Sequence, residues 1–140
     1  MNTRYTPLVK LKKNEMDKQE RVVQRSSADV DSASRALEES YSSLDEIAPP
    51  SSGKMNDFMV SRTLLESQRD LINHNKQWLR YAQNQLLQDK ENLKKSMIEY
   101  EKYKYLELEE IKKILKEQKI KEAKDLDEIA LMTFGNKEKN

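Results

Sequence analysis

The chain predicts an all-α fold, two long helices forming an antiparallel coiled-coil hairpin with the second helix longer and overhanging. Three observations carry this. Phe58, Leu65, Ile72, Leu79, Leu86, Leu93 and Tyr100 recur every seven residues, with no proline or glycine between Asn56 and about Met132. A seven-residue apolar period held over many turns under-winds a helix into a left-handed supercoil. A second row, Val9, Met16, Val23, Val30, Leu37 and Leu44, has the same period in the first third of the chain. Between the rows stands one break, Ala48 to Lys54 (APPSSGK), where two prolines deny helical hydrogen bonds and Gly53 permits a turn.

The composition excludes several alternatives. Of the 140 residues, 36% are charged and only two are glycine. The apolar residues therefore form narrow stripes that can bury a helix seam but cannot fill a globular interior. Lys plus Arg number 26 against 25 Asp plus Glu, a balance that does not point to nucleic acid or an anionic membrane. The charges are nevertheless segregated. The segment 4–25 is mainly basic, whereas 28–47 carries Asp29, Asp31, Glu38, Glu39, Asp45 and Glu46 against Arg35 alone. With no cysteine, disulfides and thiolate chemistry are ruled out. No apolar run approaches the roughly 20 residues that span a bilayer, and the N-terminus lacks a signal-peptide core. The reading is a soluble cytoplasmic protein.

The elements follow in order within one domain, residues 1–140. Thr6 as N-cap with Pro7 at the first helical position starts helix one, predicted over 6–47. Its companion seam row, Tyr5, Lys12, Gln19, Ser26, Ala33, Ser40 and Ile47, is small or polar in the middle, so it favours one register over deep stability. Ser26 to Ser34 has the weakest helix propensity of this arm and is the place for a local irregularity. The tip is predicted over 48–55 and helix two over 56–134, with Ser61, Gln68, Asn75 and Ala82 as its companion row. Leu64, Leu71 and Trp78 widen its stripe, which predicts cover for Trp78 against the first helix. Gly135 is read as a C-cap and 135–140 as a frayed tail.

Matching Leu44 with Phe58 across the tip pairs Leu37 with Leu65, Val30 with Ile72, Val23 with Leu79 and Val9 with Leu93. On this register helix one ends near Tyr100, leaving about thirty residues, or about 45 Å at 1.5 Å per residue, without a partner from the same chain. The pairs Glu109 with Lys113 and Glu117 with Lys121 can keep that overhang helical. Its apolar residues, Leu108, Ile111 and Leu115 followed by Leu126 and Ile129, imply a partner in another molecule.

A search for chemistry yields no active site and no cofactor site. No glycine-rich phosphate loop is present. His74 is the single histidine and reads as a seam or surface residue, so no paired-histidine metal site forms. Consecutive acidic pairs such as Glu109 and Glu110 diverge on a helix and cannot share a proton transfer. Tyr100, Tyr103 and Tyr105 interleave with Lys102 and Lys104, but a lone helix with acidic neighbours makes a poor nucleic-acid track. Tyr41, Leu44 and Ile47 before the break and Phe58 and Met59 after it admit two roles, closing the hairpin end and docking a partner.

The layout resembles the flagellar export protein FliJ family over nearly the whole chain. The resemblance lies in the lead-in TRYTPLVKLKKNEMDKQE, a first arm shorter than the second, the polar break, the Trp-bearing NKQWLRYAQNQL, and the acidic-apolar end KDLDEIALMTF with Leu126 to Ala130. It implies a non-enzymatic, stalk-like coiled coil that binds the hexameric export ATPase, promotes its assembly, links it to the export gate, and meets export chaperones. The implied location is cytoplasmic, touching the inner membrane only through the export apparatus. By the same resemblance Leu37, Tyr41, Leu44, Ile47 and Phe58 are the implied gate contact. Leu108, Ile111, Leu115, Leu126 and Ile129 are assigned to the ATPase. Alternatives are the stalk of a virulence type III secretion system, a coiled-coil chaperone, and a structural homo-oligomer. A prefoldin-like clamp is disfavoured because APPSSGK holds no strand-forming run.

Overall fold

The computed structural model describes residues 1–47 and 53–138. It contains two helices, α1 (Thr6–Glu46) and α2 (Met55–Glu138), paired as an antiparallel hairpin. Ala48 to Ser52 of the expected tip, and Lys139 and Asn140 of the expected tail, lie outside the described residues. The contacts fall into two units, Met16–Ser96 and Met1–Glu15 with Met97–Asn140.

In Met16–Ser96 the seven-residue rows become the seam. Ser26, Ala33 and Ser40 of α1 are buried, as are Ile72, Asn75, Ala82 and Asp89 of α2. Met16, Val23, Val30, Leu37 and Leu44 are half-buried, as are Leu65, Leu79, Leu86 and Leu93. The companion rows of small and polar residues are thus the most deeply buried, because short side chains let two helix backbones approach closely while Val and Leu pack to either side. α1 runs unbroken through Ser26 to Ser34, where an irregularity was expected. Burial of Ser26 and Ala33 against α2 overrides the weak local propensity.

The register differs from the apolar match nearest the break. The Ser26 hydroxyl donates to the Asp89 carboxylate, the Gln68 side-chain amide to the Ser40 carbonyl at 2.8 Å, and the Asn75 amide to the Ala36 carbonyl at 3.2 Å. With Asn75 at Ala36 and Gln68 at Ser40, Ile72 lies beside the stretch 36–40 rather than beside Val30. Phe58 lies beyond the level at which α1 ends. Heptad rows match themselves again after every shift of seven, so apolar positions alone leave several equivalent pairings. Buried polar groups choose among them, since an unpartnered one costs about 1–3 kcal/mol. The residues between Glu46 and Met55 can reach about 3.3 Å each, enough for α2 to begin beyond the end of α1.

In the other unit the lead-in pairs with α2 farther along than expected. Arg4 comes within 3.8 Å of Glu110, and the Lys12 ammonium sits 5.6 Å above the Tyr103 ring centroid. Tyr100, Tyr103, Leu106, Glu107, Glu110, Ile111 and Ile114 are half-buried, and from Leu115 to Phe134 every residue is exposed. The unpartnered stretch therefore starts at Leu115 and not at Glu101, a direct consequence of the register. Lys112 pairs with Glu109 at 3.6 Å, one turn apart.

The helix ends also depart from expectation. The N-terminal cap is Thr3 and not Thr6: the Tyr5 N–H donates to Thr3 Oγ1 at 3.1 Å, and the Thr3 N–H donates to Thr6 Oγ1 at 2.9 Å. The two threonines satisfy each other's donors in the manner of a capping box. At the start of α2 the Asp57 carboxylate accepts from the Lys54 N–H at 3.3 Å, while the Asp57 N–H donates to the Lys54 carbonyl at 3.0 Å. Gly53, with φ of 155°, makes the entry. Gly135 does not end α2, which continues to Glu138. A single glycine costs an exposed helix only about 1 kcal/mol.

Candidate docking surfaces

Apolar residues are exposed along α2, at both ends of α1 and at Met1. Of the residues assigned to the gate, Leu37, Leu44 and Ile47 are half-buried, whereas Tyr41 is 42% and Phe58 47% exposed. Tyr41 is held by the Lys76 ammonium, 5.7 Å above its ring, a cation–π contact that fixes it on the surface. Leu37 and Leu44 face the seam, so Tyr41 and Phe58 are the members of this set open to a partner. Met55, Met59 and Val60 are exposed beside Phe58. Met59 was legible beside Phe58 in the sequence, whereas Met55 and Val60 lie off the seven-residue row and carried no assignment.

Of the residues assigned to the ATPase, Ile111 is half-buried under the lead-in segment. Leu108, Leu115, Leu126 and Ile129 are exposed, the last two by 66% and 60%. Glu101, Lys104, Tyr105, Glu107, Leu108 and Ile111 line a shallow groove on α2. Leu131, Met132 and Phe134 extend the exposed apolar surface toward the end of the helix. In the sequence they continue the apolar residues of the overhang that imply a partner in another molecule.

Trp78, expected to be covered by α1, is 39% exposed. It lies one residue before Leu79, which half-faces the seam, and that rotation turns the indole outward. His74 is on the surface beside it, with Gln77, Trp78 and Tyr81 around one open depression.

Among the described residues no cluster of His, Cys, Asp or Glu could hold a metal ion. No described helix is long and apolar enough to cross a membrane. The buried Asp89 is engaged by the buried Ser26 and by Gln85 at the seam. Two paired helices with polar groups bonded across the seam define a coiled-coil hairpin protein. The family description "Flagellar FliJ protein" matches residues 1–139, and the chain belongs to that family. It is accordingly a component of the flagellar export apparatus, in a family whose members are non-enzymatic. Comparison with curated proteins and with solved structures found no match.

Proposed function

We infer that this chain works as the stalk of the export apparatus, binding the hexameric export ATPase through the free part of α2 and the export gate through the hairpin tip. The observation that carries the reading is the run from Leu115 to Phe134, helical and exposed throughout, with Leu126, Ile129 and Phe134 more than half exposed. An apolar helix face of this size lowers the free energy of a complex that covers it. A ring that closes around such a helix is stabilised by linkage, because a ligand that prefers the assembled state shifts the equilibrium toward assembly. Tyr41 and Phe58 are the exposed members of the tip contact. Export chaperones are further partners in this reading, and the chain is cytoplasmic, reaching the membrane only through the apparatus. No catalysis by the chain is required.

Replacing Leu126 and Ile129 together by serine tests the ATPase contact. Both side chains are exposed, so helix content measured by circular dichroism stays unchanged while binding to the export ATPase falls by at least about tenfold, the equivalent of 1.4 kcal/mol. Undiminished binding by a folded double variant would refute the assignment.

A further inference from the structure

α2 carries a second stripe with coiled-coil spacing that its own chain leaves open. Val60, Leu64, Leu71, Trp78 and Tyr81 follow one another at steps of four, seven, seven and three, and His74 falls on the same line. Steps of three, four and seven are what a partner helix reads as a seam. The five large residues are between 39% and 69% exposed.

The surroundings have the composition of an interface. From Leu71 to Gln88 the only Asp, Glu, Lys or Arg residues are Lys76 and Arg80, in a chain that is 36% charged. Depletion of charge around Trp, Tyr and Leu marks the buried centre of protein contacts. Lys76 is already engaged over Tyr41. The other wall of the groove is α1, where Ser26 and Asp29 line one hollow with Trp78, Tyr81, Ala82 and Gln85. Asp29 is the carboxylate that lines this hollow, and Glu39 and Glu46 follow it on the same side of α1 at steps of ten and seven, all three exposed.

We propose that this groove seats a third helix from another protein, amphipathic, with leucine-type side chains at heptad spacing and lysine or arginine along the edge that lies over α1. The stripe supplies the knobs and holes of a three-helix contact, and the acidic edge of α1 selects the charge of the incoming flank. A second copy of this chain would bring the same acidic edge, and like charge opposes that pairing. Nucleic acid is rejected for the same reason. The site adjoins the tip contact at Val60, while its centre at Leu71, Trp78 and Tyr81 uses no residue assigned to the gate or the ATPase.

Trp78 is the single tryptophan, so its fluorescence reports occupancy directly. The full chain is titrated with a synthetic amphipathic peptide bearing leucines at heptad spacing and lysine flanks, and with the same peptide bearing glutamate flanks. The lysine peptide gives a saturable blue shift of Trp78 emission, weakened by salt, and the glutamate peptide binds at least about tenfold more weakly. Asp29→Lys narrows that preference. Leu71→Ser with Tyr81→Ser, both exposed, removes the shift while circular dichroism stays constant. No shift with either peptide overturns the proposal, as does equal binding of the two. An emission shift that grows with protein concentration alone, accompanied by a rise in mass, assigns the groove to a second copy and also overturns it.

Discussion

The Ser26 hydroxyl donates a hydrogen bond to the Asp89 carboxylate across the seam, joining residues 63 apart in the sequence. Asp89 is only 5% exposed, and its other oxygen accepts from the Gln85 amide at 3.2 Å. Ser26→Ala removes one of the two donors and leaves a buried carboxylate under-satisfied. Its expected cost is about 1–3 kcal/mol, read as a lower urea midpoint with an unchanged slope. Asp89→Leu replaces the buried carboxylate by an apolar side chain and is expected to raise the thermal midpoint, as replacing buried charge by packed apolar groups often does.

Ser26 and Asp89 are both buried at this contact. Because the chain has no cysteine, the register can be tested by crosslinking. An S26C/D89C chain is expected to oxidise to an intramolecular disulfide, since bridged Cα atoms must lie within about 7 Å. An L44C/F58C chain, which the apolar match nearest the break would bridge, is expected to stay reduced under the same conditions. The reverse pattern on a reducing against a non-reducing gel would overturn the register.

Glu107 occupies the position seven residues after Tyr100 in the apolar row, and its Oε2 is buried without a hydrogen-bond partner. Glu107→Leu should stabilise the pairing of the lead-in with α2 by about 1 kcal/mol. Slower amide hydrogen exchange over residues 6–15 would show it. Faster exchange there would mean that the carboxylate holds the segment in place.

A side chain at Gly53 would meet Asp57 Oδ2 at 2.7 Å, on a backbone with φ of 155°. Gly53→Ala is therefore expected to cost about 1–3 kcal/mol through strain, and Asp57→Ala about 1 kcal/mol through loss of the cap. Thermal melts of the two variants and their double mutant separate the effects: with Asp57 shortened, the strain of Gly53→Ala should ease.

The helical hairpin and its seam rows were legible because a heptad repeat states both the element and the face it buries. Val23, Leu37, Leu65 and Leu86 could be placed on the seam from spacing alone. Pairing between the rows was not legible, since the repeat is degenerate under shifts of seven, and the choice rests on Ser26, Gln68, Asn75 and Asp89. From the register followed the position of Phe58 beyond the end of α1 and the start of the free stretch at Leu115. The exposure of Trp78 depends on a rotation of one residue off the seam, finer than a stripe drawn on a helix can resolve.

The central claim is that the exposed part of α2 is what the export ATPase holds. The most direct measurement compares the full chain with one ending at Ile114, which keeps every half-buried α2 position except Gly135, by mixing each with the export ATPase and following hydrolysis rate and hexamer formation together. The account predicts that the full chain raises both and that the shortened chain, with its hairpin intact by circular dichroism, raises neither. Equal stimulation by the two chains would contradict it and move the contact to the paired part of the hairpin.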